Sequence, residues 1–278
     1  MGGGVRMRAA AGWSALDTLR QGTSSAGTPF CCFLAVNHPM HPCQTCPLRK
    51  HDLFTPFSPE DLKFMMQFRD GEVTLSPGAA LYHEGDETDY FFTAREGQGA
   101  RFKYLPNGER QLVNFIFPGD MVGFQAMLAD GAATSAIAAS PMVLCRFHKR
   151  KLSDLFRNNP PRAYALTWIA AVEEHFLNEM IATLGQRTAQ QRMAWALLKI
   201  HRRLAAVGLA PNGRAQFPFT QRDLADALGL SLVHTNKTLA RLRPLVTWEN
   251  GVLQILDAKA LSALALADSL TPPERPLL

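Results

Sequence analysis

From about Glu72 to Leu144 the apolar residues come in short runs rich in β-branched and aromatic side chains. Gly, Pro or Asp cuts off each run, which predicts strands joined by turns. "EVTLSPGAALYHEGD" predicts two strands around Pro77–Gly78, and the stretch from Asp89 to Asp120 predicts three more. Their breaks fall at Glu96–Gly99, Pro106–Gly108 and Pro118–Asp120, and Asn107–Gly108 has the residues of a tight hairpin turn. "SAIAASPMVLCRFH" supplies the closing strands. Such spacing predicts a small antiparallel barrel or jelly roll, with Phe91, Phe92, Phe115 and Phe117 in its core.

The period then changes. Between Pro161 and about Leu184 there is no Gly or further Pro, and Ile169, Val172, Phe176, Met180 and Leu184 recur at three- and four-residue steps. Pro160–Pro161 suits the start of a helix and Gly185 its stop. About 24 residues at 1.5 Å rise make a helix of roughly 36 Å. That length suits a two-stranded coiled coil, so the stripe is expected to be a dimer interface. A helix lying on its own barrel is the alternative.

A third segment follows. "TAQQRMAWALLKIHRRLAAVG" is a further amphipathic helix ending at Gly208, and a loop with a short strand comes next. Thr220 then reads as an N-cap with Asp223 at its capping-box position, and Leu224, Ala227 and Leu228 form an inner face. Gly229 breaks the helix, Leu230 plugs the corner, and Ser231 caps a second helix that ends before Pro244. Ala225 is small where the second helix must cross. Two short helices across a tight Gly-containing turn make a helix-turn-helix. "WENGVLQIL" adds a β-hairpin wing turning at Asn250–Gly251.

Charge sharpens this picture. The 278-residue chain carries a net charge of +5, yet residues 187–251 hold ten basic residues against three acids, a local surplus of +7. A compact basic module can neutralise several phosphates of duplex DNA. Thr220, Gln221, Ser231, Val233, His234, Asn236, Lys237 and Arg241 are the candidate DNA-contacting residues. Asn pairs with adenine, Lys with guanine, and Val touches a thymine methyl. A dimer would present two such helices to successive major grooves, hence a palindromic site in double-stranded DNA.

The chain has five cysteines, two of them as Cys43-x-x-Cys46. No secretory signal is legible in its Gly/Ala/Ser/Thr-rich first residues, and no apolar run reaches the length of a membrane span. A cytoplasmic location without membrane association is expected, where thiols stay reduced. The pair then admits three readings: a zinc site with His38 and His41, a redox dithiol, or an iron–sulfur anchor. "PCQTC" fits part of a zinc-deaminase signature, but no Glu precedes Glu60 to shuttle a proton. With no G-x-S-x-G or P-loop either, no catalytic residues are assigned and the protein is not expected to be an enzyme.

Barrel, long helix and winged helix-turn-helix, in that order, resemble the CRP/FNR family of bacterial transcription regulators. The resemblance runs from about Cys43 to Leu261. It is carried by the barrel stretch with Gly78, Gly85, Gly97 and "PGDMVGF", by "RTAQQRMAWALL", and by "TQRDLADALGLSLVHTNKTLARL". The implied fold class is α+β: an arm over 1–42, expected to be flexible, and a cyclic-nucleotide-binding-like sensor domain over 43–158. A dimerisation helix over 159–185, a winged helix-turn-helix domain over 186–268 and a tail over 269–278 follow. Where the cyclic-nucleotide branch holds a phosphate with arginine, this chain has none between Arg110 and Arg146, so cAMP is not expected as a ligand.

The wording "GDMVGFQAM" is closer to the oxygen-sensing FNR branch. That resemblance implies a [4Fe–4S] cluster, a homodimer and contact with RNA polymerase. Cys43 and Cys46 match the first ligand pair, and Cys145 matches a ligand on a late barrel strand. At the third ligand position stands Asp52 rather than Cys; Cys31 or Cys32 are alternative fourth ligands, with His41 and His51 behind them. The recognition helix also departs from the family, with Val233 in place of a Glu and Lys237 in place of an Arg, which implies a different half-site.

Overall fold

The computed structural model describes residues 41–267 and 274–278. Cys31, Cys32 and His38 lie outside the described residues. After two short 3₁₀ turns at Cys43–Thr45 and Pro47–Lys50, the first helix is α1 (Pro59–Phe68). Ser58 caps it: its hydroxyl accepts Asp61 N at 3.0 Å, and Asp61 reaches back to Ser58 N.

Eight strands follow: β1 (Gly71–Leu75), β2 (Ala80–Tyr82), β3 (Tyr90–Glu96), β4 (Gly99–Tyr104), β5 (Arg110–Ile116), β6 (Met121–Val122), β7 (Ser135–Ala138) and β8 (Met142–His148). A short helix, α2 (Phe124–Leu128), sits between β6 and β7. The strands pair antiparallel in two four-stranded sheets, β1-β8-β3-β6 and β2-β7-β4-β5. The sheets do not close on one another, so of the two expected forms, barrel or jelly roll, the domain takes the jelly roll. Leu75, Leu81, Phe92, Ile116 and Leu144 fill the space between them. Each such side chain contributes roughly 1.5–3 kcal/mol relative to exposure.

Phe91, by contrast, faces outward, against Phe68 of α1 and Phe147. Phe115 and Phe117 pack with the DNA-binding module rather than inside the sandwich. Strand alternation allows one run to serve both faces.

The chain then turns through α3 (Leu152–Asn158) into α4 (Pro160–Gln186), about 40 Å at 1.5 Å per residue. Gly185 does not stop the helix. It is helical and exposed, and the break falls at Arg187, extended at φ −86°, ψ 143°. There Thr188 caps α5 (Ala189–Ala206) in a capping box with Gln191. The stripe predicted for dimerisation faces the protein's own core. Phe176 and Leu184 pack beside Met180 against α5, and Ile169 packs toward α1 and α3. Val172 lines a cleft toward the sheet. Away from that stripe and at its flank, α4 exposes Tyr164, Leu177 and Ile181.

The last module comprises β9 (Arg214–Gln216), α6 (Gln221–Leu228), α7 (Leu232–Leu242), β10 (Val246–Glu249), β11 (Val252–Ile255) and α8 (Ala258–Leu264). Its core is Trp195, Leu197, Phe217, Leu224 and Leu253. Among the described residues, no helix is long and apolar enough to cross a membrane.

Arg162 of α4 clamps α1 through a two-pronged pair with Asp61, Nε–Oδ1 and Nη2–Oδ2 each at 2.9 Å. These bonds hold the Asp61 carboxyl down at about 2. A carboxylate held below its unfolded value of about 3.9 stabilises the fold above that pH. The contribution is lost as pH falls through about 2. Asp61→Asn is therefore expected to be less stable at pH 6 and to show a flatter acid limb between about pH 4 and 2. Urea unfolding at stepped pH tests this; parallel acid limbs would rule it out.

Candidate nucleic-acid interface and cysteine cavity

The helix-turn-helix is built from local rules. Thr220 Oγ1 accepts Asp223 N at 3.2 Å, and Asp223 Oδ2 accepts Thr220 N at 2.9 Å. Gly229 ends α6 in the left-handed region at φ 61°, where a side chain costs conformational energy. Ser231 accepts His234 N at 3.2 Å and starts α7. Thr235, Thr238 and Leu242 are the buried face of α7. All eight candidate DNA-contacting residues, Thr220, Gln221, Ser231, Val233, His234, Asn236, Lys237 and Arg241, lie on the exposed side of the motif. The wing turns at Asn250 (φ 52°) and Gly251 (φ 72°), the backbone a two-residue hairpin demands.

A polar mesh ties this module to the jelly-roll domain. Asp120, in the turn before β6, pairs with Arg203 of α5 and with Arg275 (Nη1–Oδ1 3.2 Å), and accepts Phe117 N at 2.8 Å. Arg203 donates to Asn114 Oδ1 at 3.2 Å; Asn114 donates to Glu173 of α4 at 3.3 Å; Glu173 pairs with Arg101. At the start of the same strand β5, Arg110 forks onto Asp223 (2.8 Å) and Asp226 (2.6 Å) of α6.

The second site lies on the outer face of the β1-β8-β3-β6 sheet. Cys145 sits mid-sheet, level with Glu72 on one neighbour and Thr93 on the other. The 3₁₀ turns are closed by Cys46 N donating to Cys43 O (3.4 Å) and Arg49 N to Cys46 O (3.2 Å). Arg49 Nη1 also donates to Cys43 O at 3.1 Å. These turns lie over the sheet, so that Cys43, Cys46 and Cys145 line one cavity of about 460 Å³, mouth included. His41, Arg49, Arg69, Thr93 and Arg95 share its wall, none of which except His41 stood out in the sequence.

Burial pushes the Cys43 thiol up, and the Cys145 thiol up to about 11; in both cases the nearby Arg69 opposes the rise. Arg69 Nη1 lies 3.9 Å from Cys145 Sγ. Three buried polar atoms of this wall, Arg49 Nε, Arg69 Nε and Thr93 Oγ1, have no hydrogen-bond partner among the described residues. Unpaired buried donors are costly, so a wall that keeps three of them suits an anionic guest. Asp52 does not join it: it is exposed, on a turn closed by Phe54 N donating to His51 O at 3.1 Å. His51 instead lies against Gly208 at the end of α5. Among the described residues, no three His, Cys, Asp or Glu side chains are arranged to grip one metal ion.

A jelly-roll domain, a long helix and a basic winged helix-turn-helix with an exposed recognition helix define a DNA-binding transcription regulator. Residues 72–159 match the family described as "Cyclic nucleotide-binding domain", and residues 191–264 match "Crp-like helix-turn-helix domain". The chain belongs to the CRP/FNR family, whose members are regulators and not enzymes. It is 27% identical over 229 residues to the nitrogen fixation regulation protein FixK of Bradyrhizobium diazoefficiens, covering 82% of this chain and 95% of that protein. It is 26% identical over 207 residues to the transcriptional activator protein FnrL of Cereibacter sphaeroides, covering 73% and 82%. The solved structure of FixK2 from Bradyrhizobium japonicum shares the fold, with a TM-score of 0.64 at 24% identity over 71% of this chain and 98% of that one.

Proposed function

We propose that this regulator senses oxygen or nitric oxide through a [4Fe–4S] cluster that controls dimerisation and DNA binding. The observation that carries the reading is the meeting of Cys43, Cys46 and Cys145 at one cavity whose wall keeps unpaired arginine donors. Three sulfurs suit a cluster that spreads its thiolates over separate irons. When bound, such a cluster supplies a redox-sensitive, oxygen-labile centre. Arg49 and Arg69 balance the negative charge of the thiolates, and the 3₁₀ turns fix the spacing of the first two. His41 lines the same cavity and is the described residue that suits the fourth position, with Cys31 or Cys32 the sulfur alternatives.

Dimerisation is assigned to the exposed side of α4, where Tyr164, Leu177 and Ile181 lie with Ala171, Asn178 and Gly185. Small and apolar residues along one helix side let two copies approach. On DNA, Val233, His234, Asn236 and Lys237 are assigned to base edges and Arg241 to phosphate, in a palindromic site.

Cys43→Ser, purified without oxygen, is expected to lose its iron and visible absorption together with its response to air in a DNA-retention assay. A wild-type preparation that is colourless and iron-free from anaerobic cells would overturn the proposal.

A second reading rests on a separate cleft between the sandwich and α4, about 990 Å³ with its mouth, which presents Tyr82, Arg101, Gln125, Trp168 and Glu173. A small metabolite there would reach the same helix. Its binding would raise the melting temperature of iron-free protein, which the cluster reading does not require.

A further inference from the structure

After the DNA-binding module the chain returns to the sensor domain. Arg275 N donates to Leu53 O at 2.8 Å and its carbonyl accepts Thr55 N at 2.9 Å, a parallel bridge beside Phe54. The guanidinium of Arg275 lies over the Phe54 ring, 5.2 Å from its centroid, and reaches Asp120. Gly119 makes room for both: a Cβ there would stand 2.2 Å from the Phe54 ring and 3.0 Å from Arg275 Nη2. Arg162 Nη1 donates to Leu277 O at 3.3 Å, a buried bond. Leu277 and Leu278 are 4% and 6% exposed. Leu277 packs with Leu48, Phe54 and Val207, and Leu278 with Met65 and Phe147. Both leucines line the cavity of Cys43, Cys46 and Cys145.

We propose that Arg275–Leu278 is an internal peptide ligand of the cysteine cavity, a plug that governs access to its three thiols. The segment has no helix or sheet of its own to hold it. One ion pair, two backbone–backbone bonds, the bond from Arg162 and two leucines seat it, which makes it a unit able to open by itself. Its seat is selective: an apolar pair enters between the cysteine turns and α1, and a cation precedes it at Asp120. Val207, at the end of α5, shares the cluster with Leu277, so departure of the plug removes packing from the DNA-binding module as it opens the cavity. The cysteine site and the recognition helix are thereby linked within one chain, in addition to any link through α4.

The test uses iron-free protein, so its outcome does not depend on whether a cluster forms. Alkylation by iodoacetamide is followed at each cysteine by peptide mass mapping, in wild type, in Arg275→Ala, and in the Leu277→Asp/Leu278→Asp double variant. Cys43 and Cys145 are expected to react at least about tenfold faster in the double variant, and by a smaller factor in Arg275→Ala, as opening of a local unit requires. A synthetic peptide of residues 274–278 at millimolar concentration is expected to restore protection, the tether having supplied that effective concentration in the intact chain. The same peptide with both leucines changed to Asp is expected to do nothing. Rates within about twofold of wild type in the double variant would overturn the proposal, since access would not depend on the segment. So would fast rates that the peptide leaves unchanged, which mark general loosening rather than an unplugged site.

Discussion

Asp120→Ala is expected to lower the free energy of unfolding by about 3 kcal/mol, the low end for removing one partner of a buried charged pair. The carboxylate is 14% exposed and serves Arg203, Arg275 and Phe117 N at once. Its loss strands Arg203 between the sheet and α5, where Asn114 Oδ1 and Phe115 O remain as neutral acceptors. Leaving a partly buried guanidinium with only neutral partners is what costs, more than the lost Coulomb attraction. Arg275→Met should cost clearly less, because Asp120 then keeps Arg203. Urea unfolding of the three proteins decides this; a cost below about 1 kcal/mol for Asp120→Ala, typical of an exposed pair, would mean the mesh adds nothing.

The second large effect is expected at Trp195, which is 3% exposed. Its ring stacks on Phe176 of α4 with centroids 6.5 Å apart, and Lys199 and Arg187 lie over it at 4.9 and 5.7 Å. Trp195→Ala removes the largest side chain joining α4 to α5 and should cost about 3–5 kcal/mol, the transfer term plus the cavity left behind. DNA affinity should fall with it, because the winged module loses its fixed setting on the long helix. Trp168→Ala, at a half-buried position on the same helix, gives the comparison and should cost less. Equal midpoints for the two variants in urea would show that Trp195 is not the joint between these elements.

The parts of the fold governed by local rules were legible. The strand breaks at Pro77–Gly78 and Asn107–Gly108, the cap at Thr220, the Gly229 turn and the Asn250–Gly251 wing follow from backbone preferences of single residues, and all stand where expected. Helix α1 had its own signal, Ser58-Pro59-x-Asp61, but lies in a short stretch without a long apolar period. Gly185 misled because an exposed interior glycine costs a helix only about 1 kcal/mol. The better stop signal was the capping box of the next helix, Thr188 with Gln191.

Periodicity found the stripe from Ile169 to Leu184 but could not name its neighbour. A helix with apolar residues on two sides has two neighbours, and the sequence carries no mark of which side belongs to the same chain. The cysteine cavity was half legible. Cys43, Cys46 and Cys145 were singled out together by resemblance, and they do share a wall. Asp52 was singled out by the same resemblance, as the residue standing at its third ligand position, and the turn at His51–Phe54 carries it out to solvent. The role of Arg275–Leu278 had no local sign at all, since a short segment is placed by the surface it meets.

The enclosed mesh from Arg101 to Arg275 and the exposed cations of α7 are two electrostatic populations with opposite sensitivities. Mobile ions screen the second readily and the first, partly buried, much less. Rising ionic strength therefore loosens the grip on the double helix while the posture of the two halves of the molecule stays set. Release from a promoter and relaxation of the protein's shape are, by this arrangement, separable events.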